Sequence, residues 1–173
     1  MVKYVGHEIR AVIMNKLEMD VRDTVLLANA ESIAVEASMV AYEGVVIAAE
    51  RDAGSLRTME ENASKFGTHN IEIIPEITVE ALEKLPTPRL AFIVAQKSTI
   101  ENDIVTLLKV NPKIKIIIYT LELDILADIK YLMKKHGVDV TEVMQIAVSK
   151  VDKNGVFVAQ PAPWMITCEV KEK

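Results

Sequence analysis

The sequence predicts an α/β fold, a doubly wound sheet of seven strands that is mostly parallel and ends in an antiparallel C-terminal hairpin. Three observations predict it. Short, nearly unbroken apolar runs recur along the chain, as strands covered on both faces require. Amphipathic stretches of helical period separate them, which makes the connections right-handed β-α crossovers. Near the end, an Asn-Gly pair between two β-rich stretches replaces another helix.

The apolar runs are TVLLA from Thr24, VVIAA from Val45, IEII from Ile71, LAFIV from Leu90 and IKIIIY from Ile114. Between them, Ile9, Val12, Ile13 and Leu17 share one helical face, and so do Leu56, Met59, Ala63 and Phe66. Gly67 follows the second set as a helix stop. Leu126, Ile129 and Met133 form a further stripe, closed by Gly137, and a shorter helix over Ile100–Val110 stops before Asn111-Pro112. At Asn154-Gly155 both turn positions favour φ > 0. Pro161 and Pro163 cannot donate ladder hydrogen bonds, so the second hairpin strand should be interrupted there.

The 173 residues suffice for one domain, residues 1–173, with a sizeable core. A net charge of −5 without a basic run argues against a nucleic-acid partner. No apolar run approaches the roughly 20 residues that span a membrane, and the amino end lacks a signal-peptide core. Cys168 stands alone, so neither a disulfide within the chain nor a cysteine metal site can form. A cytoplasmic protein is expected. His7, His69 and His136 show no ligand spacing, and no metal site is expected. The eight methionines sit singly and read as core filler.

VLLANAESIAVEA, Val25 to Ala37, reads as strand, tight turn and helix. Nucleotide-binding folds often place glycines at this junction, because glycine lets backbone approach a ligand. Here there are none. Asn29 tolerates the left-handed conformation better than most residues, so the turn can still form. Glu31 lies near the helix start, where the dipole favours negative charge by roughly 0.3–1 kcal/mol. It either occupies the electropositive spot a ligand would use or points to solvent.

HEIRAVIMNKLEM, SIAVEASMV, VVIAAERDAGSLRTMEENASKFGTHNIEII and, near the end, VMQIAVSKV and PAPWMIT occur in an order that resembles the decarboxylating cobalt-precorrin C15-methyltransferase family of cobalamin biosynthesis. The resemblance covers nearly the whole chain. It implies the Rossmann-like fold of class I methyltransferases, S-adenosylmethionine (SAM) as cofactor, a tetrapyrrole substrate and a homotetramer. By the same resemblance Glu50 matches the acid that accepts hydrogen bonds from the ribose hydroxyls. Asn29, Ala30 and Glu31 occupy a shortened glycine segment, and Ser32 opens the helix after it. Leu27 stands where the family has its first acid, and Glu76-Ile77 where it has an acid near the adenine. VAQKST, Val94 to Thr99, replaces a second glycine-rich loop, and Val5-Gly6 replaces a Thr-Lys pair.

The candidate cofactor residues are therefore Asn29, Glu31, Ser32 and Glu50. Lys97 is a candidate for the substrate's carboxylates, as are Lys150 and Lys153. Tyr119 and Thr120, at a strand's carboxyl end, are candidate pocket-lining residues. Methyl transfer needs little acid-base chemistry, so no catalytic constellation is expected. The missing glycines predict an ordered but closed loop over Ala28–Ser32, partly filled by Glu31, with SAM binding weakened or lost. The alternatives are an active tetrapyrrole methyltransferase with an unusual loop and a non-catalytic oligomeric interaction protein. Glu50 is expected at an exposed strand end. Trp164, Met165 and Ile166 are expected to be buried against the sheet or a neighbouring subunit.

Overall fold

The structure is a computed structural model that describes residues 5–170. Its elements run α1 (His7–Leu17), β1 (Thr24–Ala28), α2 (Glu31–Val40), β2 (Val45–Ala49), α3 (Ala53–Phe66), β3 (Ile71–Ile74), α4 (Val79–Leu82), β4 (Leu90–Val94) and α5 (Ile100–Val110). Then follow β5 (Lys115–Thr120), α6 (Leu123–Lys135), β6 (Asp139–Gln145), β7 (Ser149–Val151), β8 (Phe157–Ala159) and β9 (Trp164–Glu169). Seven strands form one sheet in the order β3-β2-β1-β4-β5-β9-β6, and β7 pairs with β8 apart from it. Strands β1 to β5 are parallel, and β9 runs antiparallel between β5 and β6.

The strand periodicity divides the core into two layers. Leu26, Ala28, Ile47, Ile93, Ile116 and Ile118 face α5 and α6. Their neighbours Val25, Leu27, Val46, Phe92 and Ile117 face α1, α2 and α3. Both layers are apolar, which is why these strands read as continuous hydrophobic runs. The edge strand β6 has one face covered, and its residues alternate between exposed and half-buried.

Helix ends follow local chemistry. Asp52 caps α3, accepting from the Ser55 amide at 3.0 Å. Gly67 ends it in the left-handed region at φ 69°. Asn111-Pro112 ends α5, with Asn111 extended.

The terminal hairpin forms with two differences from expectation. Only Gly155 has positive φ, at 78°. The Gly155 amide donates to the Asp152 carbonyl and the Asp152 amide to that of Val156, a longer loop than the two-residue turn with two positive φ values. The Asp152 carboxylate explains this, because it accepts from the amides of Asn154 and Val156 and holds the turn itself. Both long strands are also interrupted, over 146–148 and 160–163, so a separate ribbon, β7-β8, projects beyond the sheet. Met165 and Ile166 are buried as expected, but Trp164 is only partly so, because it starts β9 at the sheet's end.

Candidate functional site

The carboxyl ends of β1, β2 and β4 splay around a cavity of about 570 Å³, within the range of small-molecule sites. Its apolar wall is Ala28, Ala49, Ile77 and Val94, and its polar groups include Asn29, Glu50, Arg51, Glu76, Ser98 and Asp103. The cavity lies where an open α/β sheet exposes its strand ends on either side of the first strand.

The expected closed loop is not observed. Asn29 takes φ 55°, the left-handed conformation in which glycine is usual. Its amide donates to the Ala49 carbonyl at 3.0 Å, and its Nδ2 donates to the Val94 carbonyl at 3.2 Å. One residue thus ties the ends of β1, β2 and β4 together along the cavity wall, through its backbone amide to β2 and its side chain to β4. Glu31 and Ser32 enter α2 and are not among the lining residues, so Glu31 does not fill the space above Asn29. The chain turns into α2 within two residues of β1, and that carries the Glu31 side chain past the cavity.

Glu50 is also not at an exposed strand end: it is only 7% exposed. Its Oε1 accepts from the amides of Arg51 at 2.8 Å and Asp52 at 2.7 Å, which fixes the carboxylate at the strand-to-helix turn. Both bonds go to Oε1; among the described residues Oε2 has no hydrogen-bond donor, and Glu50 lines the cavity. Arg51 reaches across the mouth, donating from Nε to the Pro75 carbonyl at 2.9 Å and pairing through Nη2 with Glu76.

Asp103, in the first turn of α5, was not among the residues the sequence singled out. It is 8% exposed and lines the cavity. Burial pushes its carboxyl above the usual range, a hydrogen bond from the Thr99 side chain opposes this, and Arg51 and Glu76 act on it with opposite sign. The polar run after β4 was the available signal, since buried acids rarely occur without a role.

The other candidates lie elsewhere. Lys97 borders a separate groove of about 370 Å³ between α5 and α6 and pairs with Asp124 at 3.7 Å. Tyr119 is buried against Phe92, and burial raises its hydroxyl pKa. Thr120 is buried too, and its Oγ1 accepts from the Glu122 amide. Neither residue lines the cavity. Lys150 pairs with Glu8 at 2.6 Å.

The precorrin methyltransferase domain family model matches residues 3–170. The chain belongs to this family. No curated protein matches the chain. Among solved structures, precorrin-6y C5,15-methyltransferase from Geobacter metallireducens GS-15 is similar, with a TM-score of 0.88 and 25% identity over 98% of this chain and 92% of that one. Precorrin 8W decarboxylase from Methanobacterium thermoautotrophicum has a TM-score of 0.80 and 20% identity, covering 96% of this chain and 92% of its own. A C5,15-methyltransferase domain from Corynebacterium diphtheriae has a TM-score of 0.78 and 15% identity, over 95% and 96% of the two chains. The precorrin methyltransferase family of cobalamin biosynthesis and its class I fold thus account for the whole described chain, although the loops after β1 and β4 lack glycine.

Proposed function

We propose that this domain binds SAM in the cavity above Asn29 and transfers its methyl group to a precorrin-type tetrapyrrole. The open cavity bounded by Asn29 and Glu50 carries this reading. Glu50 Oε2 would accept from a ribose hydroxyl, held in place by the two amides on Oε1. Ala28, Ala49, Ile77 and Val94 would cover the apolar parts of the nucleoside and exclude water. SAM itself supplies the electrophilic methyl, so positioning is the protein's main contribution.

A second reading is favoured by the loops themselves. No glycine follows β1 or β4, and one oxygen of Glu50 is already used. On that reading SAM binding is weak, and the domain serves as an oligomeric scaffold on the same fold. Calorimetric titration with SAM and S-adenosylhomocysteine separates the two. We expect a dissociation constant in the micromolar range and a loss of about tenfold or more in Glu50→Gln, since hydrogen bonds to charged groups contribute about 1.5–3 kcal/mol. Millimolar or absent binding would establish the scaffold reading.

The exposed apolar ribbon, with Val151, Val156, Val158 and Phe157, supports self-association, and we propose a cytoplasmic location. We propose a tetramer for that assembly, as the family resemblance implies. Among the described residues no helix is long and apolar enough to cross a membrane.

A further inference from the structure

We propose that Asp103 recognises the nucleoside base in this cavity by accepting a hydrogen bond from its exocyclic amine. The inference rests on the SAM-binding reading above. With the ribose on Glu50, the apolar residues Ile77 and Pro75 lie on the β3 side of the cavity and suit a planar ring. An exocyclic amine then needs an acceptor inside that slot.

Besides Glu50, three acids line the cavity. Asp52 is committed to capping α3, accepting from the Ser55 amide and hydroxyl. Glu76 is more than half exposed at the mouth and is committed to Arg51. Asp103 is almost fully buried and lines the same cavity as Arg51 and Glu76. Asp103 takes a hydrogen bond from the Thr99 side chain but, among the described residues, none from a guanidinium, so a buried acid with acceptor capacity to spare faces the cavity and suits a ligand donor. A carboxylate oxygen accepts from an N–H donor, which is what an exocyclic amine supplies.

The test is a double-mutant cycle read by calorimetry on the full chain. The probes are S-adenosylhomocysteine and its analogue with purine in place of adenine, which lacks the amine. Wild-type protein should bind the analogue about 10- to 100-fold more weakly, the size of one hydrogen bond to a charged or buried group. Asp103→Ala should bind both probes about equally, and Asp103→Asn, which keeps an acceptor, should retain the discrimination. Asp103→Val, similar in volume, carries the same comparison if the alanine variant does not fold. Discrimination that persists in Asp103→Ala or Asp103→Val would overturn the proposal and point to Glu76 or a backbone group. Equal binding of both probes by wild-type protein would overturn it as well. If wild-type protein binds neither probe, the SAM reading fails and this inference fails with it.

Discussion

Asp23 and Asp103 are both 8% exposed and stand at opposite edges of one sheet. Asp23 precedes β1 at the amino edge. Arg89 grips it with two bonds of 2.6 Å, and the Asp20 amide adds a third. The guanidinium holds its carboxyl below the usual range. Asp103 lies at the carboxyl edge, where no guanidinium bonds it, and burial pushes its pKa the other way. The surroundings differ in the same sense. At the amino edge the Asn70 amide donates to the Ala41 carbonyl, and the Asn111 amide to that of Pro88. Side chains there satisfy the loop backbone, whereas at the carboxyl edge polar side chains border a cavity. The amino edge holds the fold together, and the carboxyl edge gives up some stability to keep a site open.

Breaking the amino edge should therefore have the larger effect. A Cβ on Gly44 would stand 2.0 Å from the Asp23 carbonyl oxygen, which is backbone and cannot swing aside. Gly44→Ala should cost about 1–3 kcal/mol, towards the upper end, as overpacking does. Chemical denaturation measures this, and a change under half a kilocalorie would show that the edge yields more easily than its contacts imply.

Asp23→Asn should cost up to about 3 kcal/mol at neutral pH, reduced because Arg89 is half exposed. The sign with pH follows from linkage. A lowered folded pKa gives stability that is full above the unfolded value of about 3.9 and is lost as pH falls through the folded value. The gap in melting temperature between wild type and variant should close below about pH 4.

Asp103→Asn should act with the opposite sign and less strongly. Because its folded pKa is raised, wild-type stability improves as pH falls from above that pKa towards the unfolded value. The variant lacks that improvement. Its melting temperature relative to wild type should thus be higher at pH 7 than at pH 4. An equal difference at both pH values would mean that Asp103 is solvated and would count against an enclosed site.

The ribbon should matter least to the stability of a single chain. Phe157 is 77% exposed, so Phe157→Ser should change monomer stability by no more than about 0.5 kcal/mol. Light scattering on the same variant reads assembly. A smaller particle would place the ribbon in a subunit interface, and an unchanged one would remove it from consideration.

Local sequence was enough for the framework. β1, β2, β3 and β4 coincide with the apolar runs, and α5 with the segment bounded by Asn111-Pro112, because such elements follow from nearest neighbours, periodicity and caps. Asn29 was legible for the same reason, since its left-handed φ is a local property. The interrupted hairpin was only half legible. Prolines announced the break before β9, but nothing local announced the matching break after β6, which is set by pairing across strands.

The site divides along the same line. That an acid ends β2, and that the turn after β1 lacks glycine, belongs to the sequence alone. Tertiary structure decided what these features do. Glu50 is buried because the sheet brings the ends of neighbouring strands around it at the cavity wall. Asn29 braces the cavity wall because its side-chain amide reaches the Val94 carbonyl, 65 residues away in the chain. Asp103 joins the cavity because crossovers bring the start of α5 beside the ends of β2 and β3. Periodicity and capping act over a few residues and can be read in order, whereas desolvation and hydrogen-bond partnership depend on groups that only the folded sheet brings together.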